Sequence, residues 1–292
     1  MTDKGATMGI YSDVLLTVDF DRTLTGPDSV VPQRNLDAIR YFMENGGTFT
    51  INTGRGIPMS ARNIIGKIPV NAPLLLYNGS ADYDVQTGQL IRVAPIPLEP
   101  GEVLMDIQVR FPTLNVEVQS AIGHHLLLKN PGWEAYCTNN HCDFSYITPD
   151  TVPQPFIKFA INGEYRQPTV ASMYETTPEE AALFDQVTEY IQTHYGHAVD
   201  TFRACARILD VHAKNTGKLN AARNLQKQLG KKYLVCVGDA DNDLSMLRGA
   251  DAAYCPQDAD IAHLFENVCP CGEGAVADVI LEKIPVFLKN QK

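Results

Sequence analysis

Two aspartates stand two positions apart at the end of an apolar run, in "LLTVDFDRTLT" (15–25). Side chains alternate between the two faces of a strand, so Asp19 and Asp21 point the same way. Like charges side by side repel each other, and an acid directly after a buried run is desolvated at a cost unless it is paired or bound to an ion. The pattern therefore indicates that something uses both carboxylates.

A second apolar run, "YLVCVGD" (233–239), also ends in an acid, Asp239, and Asp243 follows in "GDADND". Ligands of open α/β sheets bind beyond the carboxyl ends of the strands, so we expect the two acidic strand ends to meet there. Mg²⁺ prefers oxygen ligands and keeps waters and substrate phosphate oxygens, and it would offset the repulsion between the acids.

The alternative is that the acids only cap helices and turns. Asp243 before "LSML" and Asp28 fit that interpretation. Asp19 does not, because a capping role leaves its desolvation uncompensated.

Two further segments could hold an anion. "INTGR" places Thr53 and Gly54 at the end of a predicted strand, where a hydroxyl and backbone N–H groups can bind phosphate oxygens. "NTGKLNAA" places Lys218 near a predicted helix start, where a cation and the helix dipole both favour an anion. Each signal is weak alone, since a single lysine is more often a solvated surface residue.

Strands and helices alternate in both terminal parts of the chain. Apolar runs predict strands at 14–20, 48–52 and 73–78, and helical spacing predicts helices within 31–47 and at 58–68. The pattern returns with a helix at 216–230, a strand at 233–239, a helix at 243–250, a strand at 252–256 and closing helices at 259–268 and 274–284. This alternation is typical of a doubly wound, Rossmann-like parallel sheet.

The middle of the chain follows another pattern. Strands are predicted within 115–130, 155–165 and 203–211, around a helix at 177–196 that has Thr177 as its cap. We therefore predict an α/β core domain formed by residues 1–82 and 211–292, with an α+β domain inserted at 83–210.

Composition limits the possible functions. The 292 residues carry 24 basic and 34 acidic side chains, a net charge of −10, which weighs against a nucleic-acid binder but not against small anionic substrates. Apolar stretches are too short to span a membrane, and the start lacks the apolar run of a signal peptide, so we expect a cytoplasmic protein. The seven scattered cysteines fit a reducing compartment, and "CTNNHC" (137–142) with Cys269 and Cys271 matches no standard zinc module.

Four segments in a fixed order resemble the motifs of the haloacid dehalogenase superfamily of phosphohydrolases. They are "DFDRT", "NTGR", a lysine before a helix, and "VGDADNDLSML". "YNG" (77–79) and the long insert after the second motif resemble the Cof-like branch, which has a type IIB α+β cap. The resemblance covers the whole chain, and its first and fourth motifs are specific.

The resemblance implies a role for each matched residue. Asp19 matches the nucleophile that forms an aspartyl-phosphate, and Asp21 matches the general acid and base. Mg²⁺ would be held by Asp19, the backbone carbonyl of Asp21, and Asp239. Asp243 would be either a further ligand or a residue that supports the ligands without touching the ion. The phosphate-holding positions match Phe20 through its N–H, Thr53, Gly54, Lys218 and Asn242.

The implied function is a Mg²⁺-dependent phosphohydrolase that acts on small phosphomonoesters such as sugar phosphates. The alternatives are a sugar phosphomutase and a non-catalytic phosphate- or metal-binding protein of the same fold. The expected partner is a small phosphorylated metabolite, with no nucleic acid and no membrane, and the oligomeric state is not indicated. Candidate cap contacts are His124, His125, Lys129, Trp133 and Arg166.

Two positions depart from the family pattern. Arg22 stands where the family usually has glycine, so it either lines the entrance and attracts anions or points to solvent. Leu219 replaces the glycine that often follows the third-motif lysine, and Lys214 lies close by as an alternative to Lys218.

Overall fold

The strands and helices were obtained from a computed structural model that describes residues 9–139, 142–163 and 176–291. Its strands are β1 (Val14–Val18), β2 (Thr48–Ile51), β3 (Leu74–Leu76), β4 (Ala81–Asp84), β5 (Gln89–Val93), β6 (Asn115–Gln119), β7 (His124–Leu126), β8 (Phe144–Tyr146), β9 (Lys158–Asn162), β10 (Val199–Cys205), β11 (Ile208–Ala213), β12 (Tyr233–Val237), β13 (Ala252–Pro256) and β14 (Glu266–Val268). Its helices are α1 (Gln33–Glu44), α2 (Ile57–Asn63), α3 (Pro100–Arg110), α4 (Pro131–Asn139), α5 (Pro178–Tyr195), α6 (Lys218–Gln228), α7 (Leu244–Arg248), α8 (Ala275–Asp278) and α9 (Ile284–Lys289).

The first sheet is parallel and has the strand order β14-β13-β12-β1-β2. β1 lies in its middle, and alternate residues of β1 enter different cores. Val14, Leu16 and Val18 pack on one side, in the cluster that also contains residues of α1 and α8. Leu15 packs on the other side, with residues of α6 and α7. Helices therefore cover both faces, which explains why the strands read as continuous apolar runs and confirms the predicted doubly wound sheet.

The predicted third strand of this sheet forms a separate one. β3 pairs antiparallel with β4, and β4 pairs with β5, in a three-stranded sheet. β3 still touches the parallel sheet through a bridge between Asn52 and Leu75 and through the Thr53 N–H bond to the Leu75 carbonyl, 2.9 Å long. The loops after β2 and β3 consequently lie beside each other.

A six-stranded sheet has the order β10-β11-β9-β6-β7-β8, antiparallel except for the β7–β8 pair. Successive side chains along each strand alternate between apolar and polar, so the two faces of the sheet differ in composition. One face carries apolar residues of β6, β9 and β11, which pack on α3 and α5. The other face carries polar and charged residues, which include Glu117, Lys158 and Asp210. We call this six-stranded sheet the cap sheet.

Helix α5 begins as its sequence predicts. The Thr177 hydroxyl accepts the Glu180 N–H at 3.2 Å, and the Glu180 carboxylate accepts the Thr177 N–H at 3.0 Å. These reciprocal bonds satisfy two of the N–H groups that every helix start leaves unpaired.

Two predicted elements are wrong. Residues 259–268, predicted as a helix, contain a short turn at Ala262–Leu264 and the edge strand β14, which pairs with β13 at Tyr254 and Glu266. Sheet-edge pairing overrides the weak local helical pattern there. Residues 203–211, predicted as one strand, belong to two strands, β10 and β11, which pair antiparallel across a tight turn.

The division at residues 83 and 210 stays a prediction. The strands of the cap sheet run from Asn115 to Ala213, and β4 and β5 occupy the three-stranded sheet. Across the part of the chain that the structure describes, no helix is both long and apolar enough to cross a membrane.

Candidate active site

The carboxyl ends of β1 and β12 meet where the strand order reverses. β1 pairs with β12 on one side and with β2 on the other, so this is the topological switch point at which open α/β sheets bind ligands. Asp19 follows β1, Asp239 follows β12, and carboxylate oxygens of Asp19, Asp239 and Asp243 lie within 4.8 Å of one another. The structure therefore brings together the acids that the sequence places on separate segments.

A buried cation lies among these acids. The Lys218 Nζ is 2.5 Å from Oδ1 of Asp19 and 2.6 Å from Oδ1 of Asp243, and the lysine side chain has no exposed surface. Lys218 is the first residue of α6, and Gly217 before it has a φ of 111°, a conformation that favours glycine. The Asn52 amide donates to the Lys218 carbonyl at 2.8 Å, which ties this helix start to the loop after β2.

Lys214, the alternative to Lys218, lies elsewhere. Its Nζ is 3.1 Å from Oδ1 of Asp200 in a half-exposed ion pair. Geometry therefore favours Lys218 as the third-motif lysine.

Asp243 holds the loop after β12 in place. Its Oδ2 accepts the N–H groups of Asp239 at 3.1 Å and Ala240 at 3.3 Å, while its Oδ1 accepts from Lys218. A Cβ at Gly238 would come within 2.6 Å of the Asp243 Cβ and Cγ, so only glycine fits this turn. Both Asp243 oxygens are thus engaged inside the protein, which suits a residue that supports the ligands from behind.

Burial and crowding oppose negative charge in this cluster. Burial raises the pKa of Asp19 to about 7; Lys218 opposes the shift, and the charges of Asp243 and Asp21 add to it. Burial raises the pKa of Asp239 well above its usual range, and Asp19 and Asp243 add to this shift. One lysine does not neutralise this set of carboxylates. A hard divalent cation would, and the all-oxygen donor set fits Mg²⁺.

Asp21 is held by a cation that the sequence analysis did not single out. The Arg55 guanidinium donates to both carboxylate oxygens of Asp21, from Nε at 2.8 Å and from Nη2 at 2.6 Å. The same guanidinium stacks on the Phe20 ring at 4.8 Å. A two-pronged pair of this kind fixes the orientation of the carboxylate.

Arg22 adopts a left-handed conformation, with a φ of 56°. This explains why the family usually has glycine at the position, since glycine pays no steric cost there. Arg22 lines the cavity, and its guanidinium is 3.8 Å from the Asp260 carboxylate.

A cavity of about 410 Å³ opens in front of the cluster. Six of the predicted site residues line it: Asp19, Asp21, Thr53, Gly54, Asp239 and Asn242. The other three, Phe20, Lys218 and Asp243, are buried behind this wall. The volume suits a small metabolite.

The opposite wall of the cavity comes from the cap sheet and α4. Polar residues there are Gln119, Tyr136, Asn139, Lys158 and Asp210. Sequence reasoning missed this wall and Arg55. Arg55 follows "NTG" directly, and Lys158 and Asp210 are single charges inside apolar runs, which is the signal that marked Asp19.

The described candidate cap contacts, His124, His125, Lys129 and Trp133, do not line this cavity. His124 forms a buried ion pair with Glu117, and His125 hydrogen-bonds Ser120 and Ser145 at 2.7 and 2.8 Å. Lys129 is exposed. Trp133 packs in the protein and donates to the Gly163 carbonyl at 3.1 Å, while Arg166 lies outside the described residues.

The cysteines provide no counterpart to the acidic cluster. Cys137 and Cys142 are buried free thiols, Cys269 and Cys271 are also unbridged, and His141 lies outside the described residues. Within the described ranges, the group with the geometry of a metal site is Asp19, Asp239 and Asp243.

A parallel sheet with acids at its switch point faces the mostly antiparallel cap sheet across a cavity, which is the arrangement of a capped α/β fold. The sequence model of haloacid dehalogenase-like hydrolases matches residues 16–262. The chain therefore belongs to the haloacid dehalogenase-like hydrolases, as its motifs predict.

Known relatives agree with this assignment. A Haemophilus influenzae protein named "Putative phosphatase" is 25% identical over 266 residues, which cover 86% of this chain and 87% of the relative. The crystal structure of a haloacid dehalogenase-like hydrolase from Bacteroides thetaiotaomicron matches 94% of this chain and 99% of its own, with a TM-score of 0.74 and 18% identity. The subclass IIB sugar phosphatase BT4131 matches the same shares with a TM-score of 0.72 and 16% identity. The two solved structures share the fold of this chain, and the prediction of a phosphatase agrees with the relatives' names.

Proposed function

We propose that the protein is a Mg²⁺-dependent phosphatase that hydrolyses small phosphomonoesters, such as sugar phosphates, through a phosphorylated Asp19. The observation that carries the proposal is the position of Asp19. Its carboxylate lines the cavity at the carboxyl end of β1, within 2.5 Å of the Lys218 ammonium. A carboxylate nucleophile, a cation beside it and N–H donors around it are the parts that phosphoryl transfer requires.

The first step forms a bond between an Asp19 oxygen and phosphorus. For this step Asp21 carries a proton on one oxygen and keeps a bond from Arg55 on the other. The bond from phosphorus to the ester oxygen breaks, and Asp21 gives its proton to the departing alkoxide, which leaves as the alcohol. In the second step Asp21 takes a proton from a water molecule whose oxygen attacks phosphorus. The bond to Asp19 then breaks, inorganic phosphate leaves, and both aspartates return to their starting states.

The protein supplies positive charge and hydrogen-bond donors around the transferring group. Thr53, the Gly54 N–H and Asn242 lie on the cavity wall and would hold phosphate oxygens, together with the Phe20 N–H. Lys218 stabilises the charge on Asp19 from behind. Such preorganised donors account for most of the rate in this type of chemistry.

Asp19, Asp239 and the backbone carbonyl of Asp21 would hold the Mg²⁺ ion. The hydroxyl of Thr23 donates to Oδ1 of Asp239 at 2.8 Å and so fixes the orientation of that carboxylate. Bound Mg²⁺ supplies charge neutralisation for the phosphate oxygens and for the clustered acids.

A cytoplasmic location also stays a prediction.

Release of inorganic phosphate tests this function. The purified chain is incubated with Mg²⁺ and a panel that contains p-nitrophenyl phosphate, sugar phosphates and other small phosphomonoesters. We expect release that stops with EDTA and falls at least about 10³-fold in Asp19→Asn, the loss typical of a missing nucleophile. Asp241→Asn is the matched control, because Asp241 is an exposed acid of the same loop as Asp239.

The outcome also separates the alternatives. Isomerisation of a sugar phosphate without net phosphate release, dependent on an added bisphosphate, would identify a phosphomutase. No release from any substrate of the panel would favour a non-catalytic binding protein.

A further inference from the structure

The backbone carbonyls of three successive residues after β2 each accept a hydrogen bond from outside their own loop. We call these residues, 53–55, the phosphate loop, because the loop contains two of the proposed phosphate-binding residues. The donors to its three carbonyls are, in chain order, the N–H of Asn78 at 2.9 Å, the ammonium of Lys158 at 3.1 Å and the N–H of Tyr77 at 3.1 Å. The loop is thus held along its whole length.

All three donors belong to residues that contact the cap sheet. Lys158 is part of β9, and its Nζ lies 2.7 Å from Oδ2 of Asp210 on β11. The Asn78 amide donates to the same Asp210 oxygen at 2.8 Å. The Tyr77 hydroxyl donates to the carbonyl of Ser120, the residue after β6, at 2.9 Å. The position of the phosphate loop therefore depends on the position of the cap sheet.

The backbone between β3 and the cap contacts is strained. Tyr77 and Asn78 are successive residues in the left-handed region, with φ values of 52° and 53°. This region is unfavourable for residues that have a Cβ, and such residues persist where surrounding contacts hold them, often near functional sites. The bonds to Ser120 and Asp210 are contacts of this kind. The strained segment fixes both residues where they bond the phosphate loop and the cap sheet at once.

Lys158 acts on the phosphate loop more directly than on the contents of the cavity. Although the residue lines the cavity, only 4% of its side chain is exposed. An ammonium has three N–H donors, and two of them are directed at Asp210 and at the Gly54 carbonyl. Its charge is paired with Asp210, so the main effect of Lys158 at the site is the bond to the loop.

The peptide unit between Gly54 and Arg55 joins this bond to the proposed chemistry. Its carbonyl accepts from Lys158, and its N–H donates to the Thr53 hydroxyl at 3.2 Å. The side chain that follows it, the Arg55 guanidinium, donates to both carboxylate oxygens of Asp21. A shift of this peptide unit would therefore move the guanidinium that orients the proposed acid and base.

On this basis, and resting on the proposed function, we propose that Lys158 is a positioning residue for proton transfer to the leaving group. Through the Gly54 carbonyl it holds Arg55 where the guanidinium orients Asp21, so the proton is delivered efficiently only while the cap sheet contacts the phosphate loop. A misplacement of about 1 Å can slow a reaction about 100-fold, so one hydrogen bond to the loop is enough to matter.

Two esters of the same shape class separate proton transfer from phosphate binding. p-Nitrophenyl phosphate releases an anion that is stable without a proton, whereas phenyl phosphate releases one that gains more from protonation. The value of kcat/KM includes the departure of the phenol but not the later hydrolysis of the phosphorylated enzyme, which is common to both esters. We therefore measure the ratio of kcat/KM for p-nitrophenyl phosphate to that for phenyl phosphate, with Mg²⁺, and call it the leaving-group ratio.

Asp21→Asn calibrates the assay. This variant has no proton to give, so its leaving-group ratio should rise about 100-fold over the wild type. An unchanged ratio in Asp21→Asn would refute the proposed role of Asp21 as the acid, and this inference with it.

The double variant Lys158→Met/Asp210→Asn tests the inference. Both partners are replaced because a single replacement leaves a buried charge unpaired, whereas loss of a whole buried pair is often tolerated. We expect its leaving-group ratio to exceed those of the wild type and of Asp210→Asn at least about tenfold, since Asp210→Asn keeps the Lys158 donor to Gly54. Lys214→Met/Asp200→Asn is the matched control. It removes a half-exposed lysine–aspartate pair beside the same sheet and should keep the wild-type ratio.

Arg55→Met tests the route. If Lys158 acts through Arg55, the double replacement of Lys158 and Asp210 should change the leaving-group ratio less than about twofold in the Arg55→Met background, because residues of one network are not additive. A residue with only a structural role would lower kcat/KM for both esters alike and leave the ratio unchanged.

Two results would overturn the inference. One is an unchanged ratio in the folded double variant, and the other is a rise as large in the Arg55→Met background as in the wild type, which would show that Lys158 acts independently of Arg55. Circular dichroism establishes folding. If Lys158→Met/Asp210→Asn does not fold, Lys158→Gln/Asp210→Asn, which keeps polar groups at both positions, is judged by the same ratio. Hydrolysis of both esters with an unchanged ratio refutes this inference only, whereas no hydrolysis of any ester by the wild type refutes the proposed function.

Discussion

The Lys218 ammonium lies 2.5 Å from Oδ1 of Asp19, although 199 residues separate the two in the sequence. Burial opposes a charged lysine here, but the carboxylates of Asp19 and Asp243 outweigh it and raise the pKa of Lys218. The lysine therefore stays charged and faces the proposed nucleophile throughout the neutral range.

Replacement of Lys218 by methionine should abolish activity while replacement of Lys214 should not. Lys218→Met removes the charge that balances Asp19 and the incoming phosphate, so we expect kcat/KM for p-nitrophenyl phosphate to fall at least about 10³-fold. Lys214→Met should stay within about twofold, because its half-exposed pair with Asp200 contributes little. Circular dichroism of both variants controls for folding. A folded, active Lys218→Met beside an inactive Lys214→Met would reverse the assignment.

Mg²⁺ should stabilise the wild-type protein against thermal unfolding, and Asp239→Asn should remove that effect. A ligand that binds only the folded state raises its stability with concentration. In EDTA the variant should melt no lower than the wild type, because one of the mutually repelling buried charges is gone. Differential scanning fluorimetry with and without Mg²⁺ measures both effects.

Asp241→Asn, in the same loop, is the control and should keep the full Mg²⁺ shift. An equal Mg²⁺ shift in Asp239→Asn would show that the ion binds elsewhere. A strong destabilisation of this variant in EDTA would contradict the proposed crowding of charge.

The positions of the acids at the strand ends could be predicted because they depend only on the local sequence. Asp19 and Asp239 each follow an apolar run, and the edge at which parallel strands end is common to the sheet. The same logic applies to Thr53 and Gly54 after β2. The α/β core was predictable for this reason, and the comparisons confirm its family.

The cap wall could not be predicted because it depends on strand register. Lys158 and Asp210 meet only because β9 and β11 pair with one particular offset, which no local pattern states. The wrong helix at 259–268 has a related cause, since β14 exists by pairing with β13. The role of Arg55 could not be predicted because it depends on the loop after β2 folding back over Asp21.

Arg22→Gly should stabilise the protein. A non-glycine residue in the left-handed region costs about 1–2 kcal/mol, and glycine removes most of this cost. The Arg22 side chain contacts the Asp260 carboxylate at 3.8 Å and donates to the Asp258 carbonyl at 3.4 Å, and both contacts are partly exposed, so we expect their loss to offset only part of this gain. We expect the free energy of unfolding to rise by about 1 kcal/mol in urea denaturation.

The matched control for Arg22→Gly is Arg40→Gly. Arg40 lies inside α1, where glycine lowers stability by about 1 kcal/mol relative to a good helix former. Opposite signs for the two substitutions support the conformational explanation. A loss of stability in both would show that the side-chain contacts of Arg22 outweigh its backbone strain.

The buried pair of His124 and Glu117 should make stability depend on pH above neutrality. Burial opposes a charge on His124, but Glu117 outweighs it and raises the pKa to about 10. The pKa of this histidine is higher in the folded than in the unfolded state, where it is about 6.5. The charged histidine therefore contributes its full share to the free energy of unfolding below about pH 6.5, and this share is lost as the pH rises towards 10.

We expect the free energy of unfolding of the wild type to decrease by more than about 1 kcal/mol between pH 7 and pH 10 through this pair. His124→Gln should be less stable at pH 6 and should show a flatter profile over the same range, since it has no proton to lose. His194→Gln, at an exposed position on α5, should follow the wild-type profile. Urea denaturation at several pH values gives the three curves. If His124→Gln keeps the full wild-type slope, His124 carries no charge in the folded protein. The carboxylate of Glu117 is then stabilised by its other neighbours, which include the Asn162 amide, 2.8 Å from its second oxygen, and the charge of Lys158.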